Sequence, residues 1–391
     1  GVPWLTHPLL GATSAVVFWG LARRIETRPA VALAATLLFA FSPFVVFLSG
    51  SYMNHVPVMT CLLVAMYALV RQTEDEATHI GWAALAGFML GLPASMRPMD
   101  AISFAVPAGI WMLWRTIKRP SRLPELLAAG VAIAIPLLGV LWYNRQLTGH
   151  PLTFPFELLW GKSHGLGFHE SPWGAPHTPA RGLELINLYF LRLQTNLFEL
   201  PGPSLLVPIA ALLAIPRVQR FDRYLLATGA VVITLYFAYW GDGIYLGPRY
   251  FVLLVPALVL GSARLPAALR ERFPSRELLH RGVGFATLSA LVIAAFMSVP
   301  YRALQYKSGF LPMRVDFDAL AERQGVRNAI VFVREAWGAQ MIARMWALGV
   351  TRSQTESIYR AVDACVLDGA LRALERSNVR DQDAYRQLQA M

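Results

Sequence analysis

Four short segments of the chain combine cationic, aromatic and amide side chains with few carboxylates. Ser51, Tyr52, Asn54 and His55 make up the first, Arg97, Pro98 and Asp100 the second, and Asp242, Tyr245, Arg249 and Tyr250, in the run YWGDGIYLGPRY, the third. The fourth is a longer stretch carrying Lys162, His164, His169, Glu170, His177 and Arg181. Such a set suits a phosphate or diphosphate, which arginine holds through two parallel hydrogen bonds and lysine as a point charge. Arg97, Arg249 and Lys162 are among the cations of this set. Asn54, His55, His164, His169, Arg181 and Tyr250 are expected to contact the rest of the substrate. Each position also has a plainer reading: Arg97 snorkelling to lipid headgroups, Arg249 paired with Asp242, His55 hydrogen-bonded at a helix end.

A general base must reach the proton it removes. Asp100, Glu157, Glu170 and Asp242 are the carboxylates placed for that, with Asp100 and Asp242 the weak candidates. The loop histidines with Glu170 would offer ligands to a divalent cation, but their spacing matches no familiar site, and substrate contact is the favoured role over a metal. Asp316-Phe317-Asp318 matches a DxD cation motif yet stands where a helix would begin, and capping explains it. The glycines of GDGIYLG neither follow a strand nor open a helix, and no HExxH, P-loop or GxSxG occurs.

The elements that must position these residues are apolar. Hydrophobic runs near 3–22, 29–49, 52–70, 80–95, 98–114, 124–143, 201–216, 224–240, 248–263 and 282–299 predict about ten membrane crossings. Arg and Lys collect in every second gap: Arg23, Arg24 and Arg28; Arg71; Arg115, Lys118, Arg119 and Arg122; Arg217, Arg220 and Arg223; then Arg264, Arg270, Arg272, Arg276 and Arg281. The positive-inside rule puts those gaps in the cytoplasm and the four chemical segments outside. A composition of 55% hydrophobic and 15% charged residues agrees, and the net charge of +11 is explained by arginine beside anionic lipid, with no nucleic-acid partner. Cys61 falls in a span and Cys365 in the tail, so no disulfide is implied.

Residues 1–300 thus read as a transmembrane domain with an external loop at 144–200. Within that loop Leu185, Leu188, Tyr189, Leu193 and Leu197 fall at helical spacing and predict an interfacial helix. The tail, 301–391, is expected to be a small external α/β domain, with helices at Asp316–Arg323, Trp337–Leu348 and Ala370–Glu375 and a strand at Asn328–Val333. The chain opens on Gly1, which suggests an earlier span and external loop upstream.

The segments SGSYMNHVPVMTCLLVAMYALV (49–70), AGFMLGLPASMRPMDAI (86–102), WYNRQLTGHPLTFPFE (142–157) and YWGDGIYLGPRYFVLLVPAL (239–258) resemble bacterial membrane glycosyltransferases of the GT-C superfamily, the group of protein mannosyltransferases and the lipid A aminoarabinose transferase. The resemblance implies a hexosyl- or pentosyltransferase that moves a sugar from a polyprenyl-phosphate donor to an envelope lipid, glycan or protein at the outer face of the inner membrane. It also makes Arg97, Arg249 and Lys162 the candidates for the donor phosphate, and places the catalytic base, an acidic residue that would deprotonate the acceptor hydroxyl, in a first external loop expected upstream of Gly1. Two other enzyme or carrier classes stand beside this one. A flippase for lipid-linked glycans would favour polar residues near the membrane midplane and an internal repeat, and an O-antigen-ligase-like enzyme would use arginines and a histidine without an acidic base. A receptor or scaffold is the fourth reading, and it leaves the histidine-rich loop unexplained.

Overall fold

A computed structural model describes residues 2–74, 77–171, 175–199, 204–215, 218–306, 321–327 and 337–391. The chain divides into two compact units, Gly1–Tyr143 with Ala180–Leu304 and Asn144–Pro179 with Gln305–Met391. The sequence reading cuts the chain once, near residue 300; the structure groups 144–179 with the tail.

The first unit is helical. Its elements are α1 (Thr6–Ile25), α2 (Pro29–Ala40), α3 (Pro43–Ser49), α4 (His55–Arg71), α5 (Ile80–Gly91), α6 (Pro98–Lys118) and α7 (Leu123–Thr148), which runs on past the unit boundary. After the intervening segment come α9 (Pro179–Asn196), α10 (Leu206–Ala214), α11 (Arg220–Phe237), α12 (Val255–Arg272), α13 (Glu277–Ile293) and α14 (Val299–Tyr306). Proline supplies the first residue of α2, α3 and α6, where its missing N–H costs nothing and its fixed φ already suits a helix. The core draws on Phe18, Phe39, Leu62, Leu63, Phe104, Tyr189, Phe251 and Val259 among others. Small residues allow close crossings: a side chain at Gly87 would meet the Ala129 backbone of α7, and one at Gly91 the Ile133 carbonyl at 2.7 Å. Buried Ser14 and Thr60 join α1 to α4 by a 2.8 Å hydrogen bond.

Each apolar run of the sequence contains helix among its described residues, but the expected ten crossings are not supported. Among the described residues four helices are long and apolar enough to span a membrane: Pro3–Ile25, Pro120–Thr148, Arg249–Arg272 and Glu277–Tyr306. The α2–α3 pair, bent by 52°, makes a fifth if counted as one span. Length is part of the reason. The nine residues of α10 reach about 14 Å, half a hydrocarbon core, and α4 has 17 residues. Composition is the rest: α6 and α11 are long enough but carry Asp100, Arg115 and Lys118, and Arg220, Asp222 and Arg223.

The region expected to lie at the interface contains α9, whose buried stripe is Leu185, Tyr189 and Leu193, with Leu197 buried just beyond its end. The periodicity of that stretch and its folded face coincide.

The second unit holds α8 (Pro155–Trp160) and, in the tail, α15 (Trp337–Ala347), α16 (Arg352–Ala361), α17 (Ala364–Ser377) and α18 (Asp381–Gln389). Met341, Met345, Leu348, Leu367, Leu371, Leu374 and Leu388 form its core. The expected α/β character of the tail is not supported: its described residues are helices and turns, with no strand. The strand expected at 328–333 and the Asp316-Phe317-Asp318 motif lie outside the described residues. Asp363 caps α17 through hydrogen bonds from the backbone N–H groups of Cys365 and Val366. Arg344 binds Glu375 at 2.6 Å and Asp368 at 2.5 Å.

Candidate functional site

The two ends of the first unit differ in chemistry. At one end lie the C-terminal ends of α1, α4, α6 and α12 and the N-terminal ends of α5, α7 and α11. Ion pairs and hydrogen bonds there stitch together the arginine-bearing gaps. Arg24 meets Glu74 at 3.1 Å, and Arg28 reaches Glu26 at 2.8 Å and Glu271 at 3.0 Å. Arg264 joins Glu26 at 2.9 Å and Asp222 at 2.6 Å, and Arg122 joins Glu125 at 2.8 Å. The His79 backbone N–H donates to the Glu125 carboxylate at 2.8 Å. Glu26 lies just beyond α1. Burial pushes its carboxyl up, but the hydrogen bonds from Arg28 and Arg264 outweigh burial and hold it below the usual carboxylate value.

The opposite end gathers the starts of α4 and α6, the end of α11 and the turn leading into α12. Arg97, the residue before α6, donates through Nε to Asp100 and through Nη2 to the Tyr236 hydroxyl at 2.6 Å. That hydroxyl in turn donates to the other Asp100 oxygen at 2.7 Å. Asp100 is 1% exposed, so the triad is a closed, buried clamp in which the carboxylate has both oxygens engaged. The Tyr236 ring stacks on Tyr250 at 4.6 Å, nearly parallel at 12°.

Tyr250 is the hub. The guanidinium carbons of Arg97 and Arg249 lie 5.2 Å and 5.3 Å from its ring centroid, within cation–π range. Tyr189 and Tyr239 meet it edge-on at 6.0 Å and 5.6 Å, and His55 stacks at 6.3 Å. Both ring nitrogens of His55 are buried without a hydrogen-bond partner, as is Nε of Arg249. Among the described residues Arg249 makes no ion pair, with Asp242 or any other carboxylate; Asp242 is exposed and accepts from the Ile244 N–H at 3.3 Å. The centre therefore holds two guanidiniums against one buried carboxylate. It is short of one negative charge.

A tight turn makes this possible. Gly243 (φ +58°), Leu246 (φ +54°) and Gly247 (φ +121°) are left-handed, and the Arg249 N–H closes the turn on the carbonyls of Gly243 at 3.1 Å and Gly247 at 2.9 Å. A side chain at Gly243 would strike the Tyr250 ring, its Cγ at 2.9 Å. The Tyr189 hydroxyl fixes the strand-like approach to the turn by donating to the Gly241 carbonyl at 2.6 Å.

Of the expected site residues, His55, Arg97, Asp100, Arg249 and Tyr250 come together here, and Asn54 anchors the rim by donating to the Met96 carbonyl at 3.1 Å. Arg181, also in this unit, pairs with Glu184 at 2.9 Å on the exposed face of α9. Lys162, His164, His169, Glu157, Glu170 and His177 belong to the second unit. There Glu157 accepts from the Phe154 N–H at the start of α8, at 3.3 Å. The His169 ring is held by the carbonyls of Glu170 at 2.8 Å and Gly165 at 3.2 Å, and His177 stacks on Phe168. Burial holds the His164 imidazole below its ordinary range. Among the described residues no three His, Cys, Asp or Glu side chains cluster to hold a metal ion. Sequence reasoning missed Tyr236, Tyr239 and Tyr189. The signal was the i, i+3 spacing of Tyr236 and Tyr239 at the end of an apolar helix.

Fold and site together define a helical membrane protein with a buried arginine and tyrosine centre at one end of its helices. Residues 4–143 match the model of the dolichyl-phosphate-mannose-protein mannosyltransferase family. That match, over about a third of the chain, supports a membrane glycosyltransferase of the GT-C superfamily. Asn54, His55, Arg97 and Asp100 fall inside the matched segment, whereas Arg249 and Tyr250 fall beyond it. No curated protein and no solved structure matches the chain.

Proposed function

We propose that the chain transfers a sugar from a polyprenyl-phosphate donor to an envelope lipid, glycan or protein at the external face of the inner membrane, and that Arg249 and Arg97 hold the donor phosphate. The observation that carries this reading is the uncompensated guanidinium of Arg249 beside the closed Arg97–Asp100–Tyr236 clamp. Chemistry of this kind needs preorganised cations where negative charge develops on the leaving phosphate. A cation already paired with a carboxylate would have to surrender that partner first. Arg249 has none to surrender.

Arg97 plays a different part. Its Nε and Nη2 are committed to Asp100 and Tyr236, so it contributes charge and a fixed edge to the centre while Arg249 supplies the unpaired guanidinium. The engagement of both Asp100 oxygens makes it a positioning residue in this reading and not the base. Asp242, exposed on the turn beside Arg249, makes no ion pair among the described residues, and His55 holds two unpartnered nitrogens near the same centre.

Orientation follows from charge: the arginine-rich end of the unit lies in the cytoplasm by the positive-inside rule, leaving the Tyr250 centre outside. Its placement at helix ends fits a lipid-linked donor entering at headgroup level better than a carrier with its site at the membrane midplane. The test is transfer from a radiolabelled polyprenyl-phosphate sugar pool into the envelope fraction in cells with and without the gene. Loss of one labelled product supports the reading; unchanged labelling with lipid-linked precursor accumulating on the inner leaflet overturns it in favour of a flippase.

A further inference from the structure

At the arginine-rich end of the first unit, between the ends of α1, α4 and α6 and the start of α11, lies a cavity of about 790 Å³. Seven Arg or Lys side chains line it against one carboxylate, Asp222. That carboxylate is already taken by Arg264, at 2.6 Å. Arg24 and Arg115 have carboxylate partners in Glu74 and Glu125, at 3.1 Å and 3.7 Å. Lys118, Arg220 and Arg223 make no ion pair among the described residues, and all three are exposed at the cavity. The charge of Arg115 is moreover opposed by those of Arg122 and Arg220, so the cavity concentrates like charges that an anion would relieve.

The walls show which anion. Trp111 and Trp114 line the cavity one turn before its basic mouth, and Trp114 is half exposed. The same helix presents Ile110, Leu113 and Ile117 outward, 64%, 50% and 68% exposed, an apolar strip leading up to Lys118. A molecule with hydrocarbon chains on that strip would place its polar end among Lys118, Arg220 and Arg223, with indole rings at the depth where tryptophan prefers to sit. A soluble phosphate compound would make no use of the strip.

We infer that this cavity binds the phosphate headgroup of an anionic membrane lipid, at the end of the first unit remote from the Tyr250 centre. Basic pockets between membrane helices on the cytoplasmic side suit that chemistry. The inference rests on the cavity alone and stands whichever sugar or acceptor the Tyr250 centre serves.

The test uses the purified full chain in nanodiscs of equal parts phosphatidylglycerol and phosphatidylcholine, followed by native mass spectrometry of the lipids retained on release. Retained phosphatidylglycerol should exceed phosphatidylcholine, and Lys118→Ala/Arg220→Ala/Arg223→Ala should lower that preference by at least about tenfold, since each basic side chain near an anionic surface is worth roughly a factor of five. Arg272→Ala/Arg276→Ala, which removes exposed charge from the same end but outside the cavity, should leave the preference intact. Arg220→Lys/Arg223→Lys should keep most of it, which separates loss of charge from misfolding. Equal loss in the Arg272/Arg276 variant would assign the effect to the general basic surface and overturn the cavity. Displacement of the lipid by inorganic pyrophosphate would overturn the lipid as its occupant.

Discussion

Replacing Arg97 by Met would strip Asp100 of its cation while leaving it where water cannot follow. Asp100 is 1% exposed, and its remaining donor would be the Tyr236 hydroxyl at 2.7 Å. Breaking a buried ion pair from one side costs about 3–5 kcal/mol, because an uncompensated charge stays behind. Asp100→Leu should cost less, about 2–3 kcal/mol, because the Arg97 side chain is 13% exposed and keeps the Tyr250 ring at 5.2 Å. The double variant removes both charges and should cost little more than the milder single, giving a coupling close to the whole Arg97→Met cost, roughly 3–4 kcal/mol. The assay is unfolding of the purified chain by a denaturing detergent, followed by circular dichroism, on all four proteins of the cycle. Additive costs would mean that the two side chains do not depend on one another, and the clamp would have to be abandoned. Transfer activity of the double variant is the companion measurement. A fully active double variant would remove Arg97 from the phosphate site while leaving the clamp intact.

Other outcomes follow from particular contacts. Arg249→Ala should abolish polyprenyl-phosphate binding, measured by fluorescence titration, while moving the unfolding midpoint little, because no buried carboxylate depends on it; a midpoint drop as large as that of Arg97→Met would refute this division of labour. Gly243→Ala should destabilise by about 1–3 kcal/mol and lower transfer, through displacement of Tyr250 by the added methyl, visible as altered tyrosine fluorescence. Gly87→Leu should block the close approach of α5 to α7 and lower the yield of folded protein in detergent, whereas Gly81→Leu, at an open position, should not. Because Glu26 is held below its ordinary value of 4.5, its stabilising contribution is complete above that value and is lost as the pH falls through the lowered one. Thermal melts from neutral to acid pH should show this loss, and Glu26→Gln should remove that part of the acid limb.

The helical plan and one half of the centre were legible from residue order. Apolar runs marked where helices lie, and Arg97, Asp100, Arg249 and Tyr250 were grouped because alternate gaps must share a side. Hydropathy reports how apolar a run is, not how many residues the folded helix keeps; hence α10, nine residues long, was read as a crossing from a sixteen-residue run at 201–216. The tyrosines escaped notice for a related reason. Within an aromatic-rich span, nothing in composition distinguishes a packing ring such as Phe251 from Tyr236, whose hydroxyl bridges an arginine and an aspartate across 136 residues of chain. The pairing of Asp100 was equally hidden. A carboxylate three residues from an arginine reads as a surface pair or a base until its burial is known.

Holding Arg249 by an aromatic face has a consequence for turnover. A ring stabilises a cation without forming a competing anionic contact, so an arriving phosphate displaces no counter-ion and a departing one strands none. The cost of emptying the site is thereby kept small. Under the proposed reaction the leaving lipid phosphomonoester carries more negative charge than the incoming sugar phosphodiester, and the exchange between them would be governed by how readily the Tyr250 ring takes the guanidinium back.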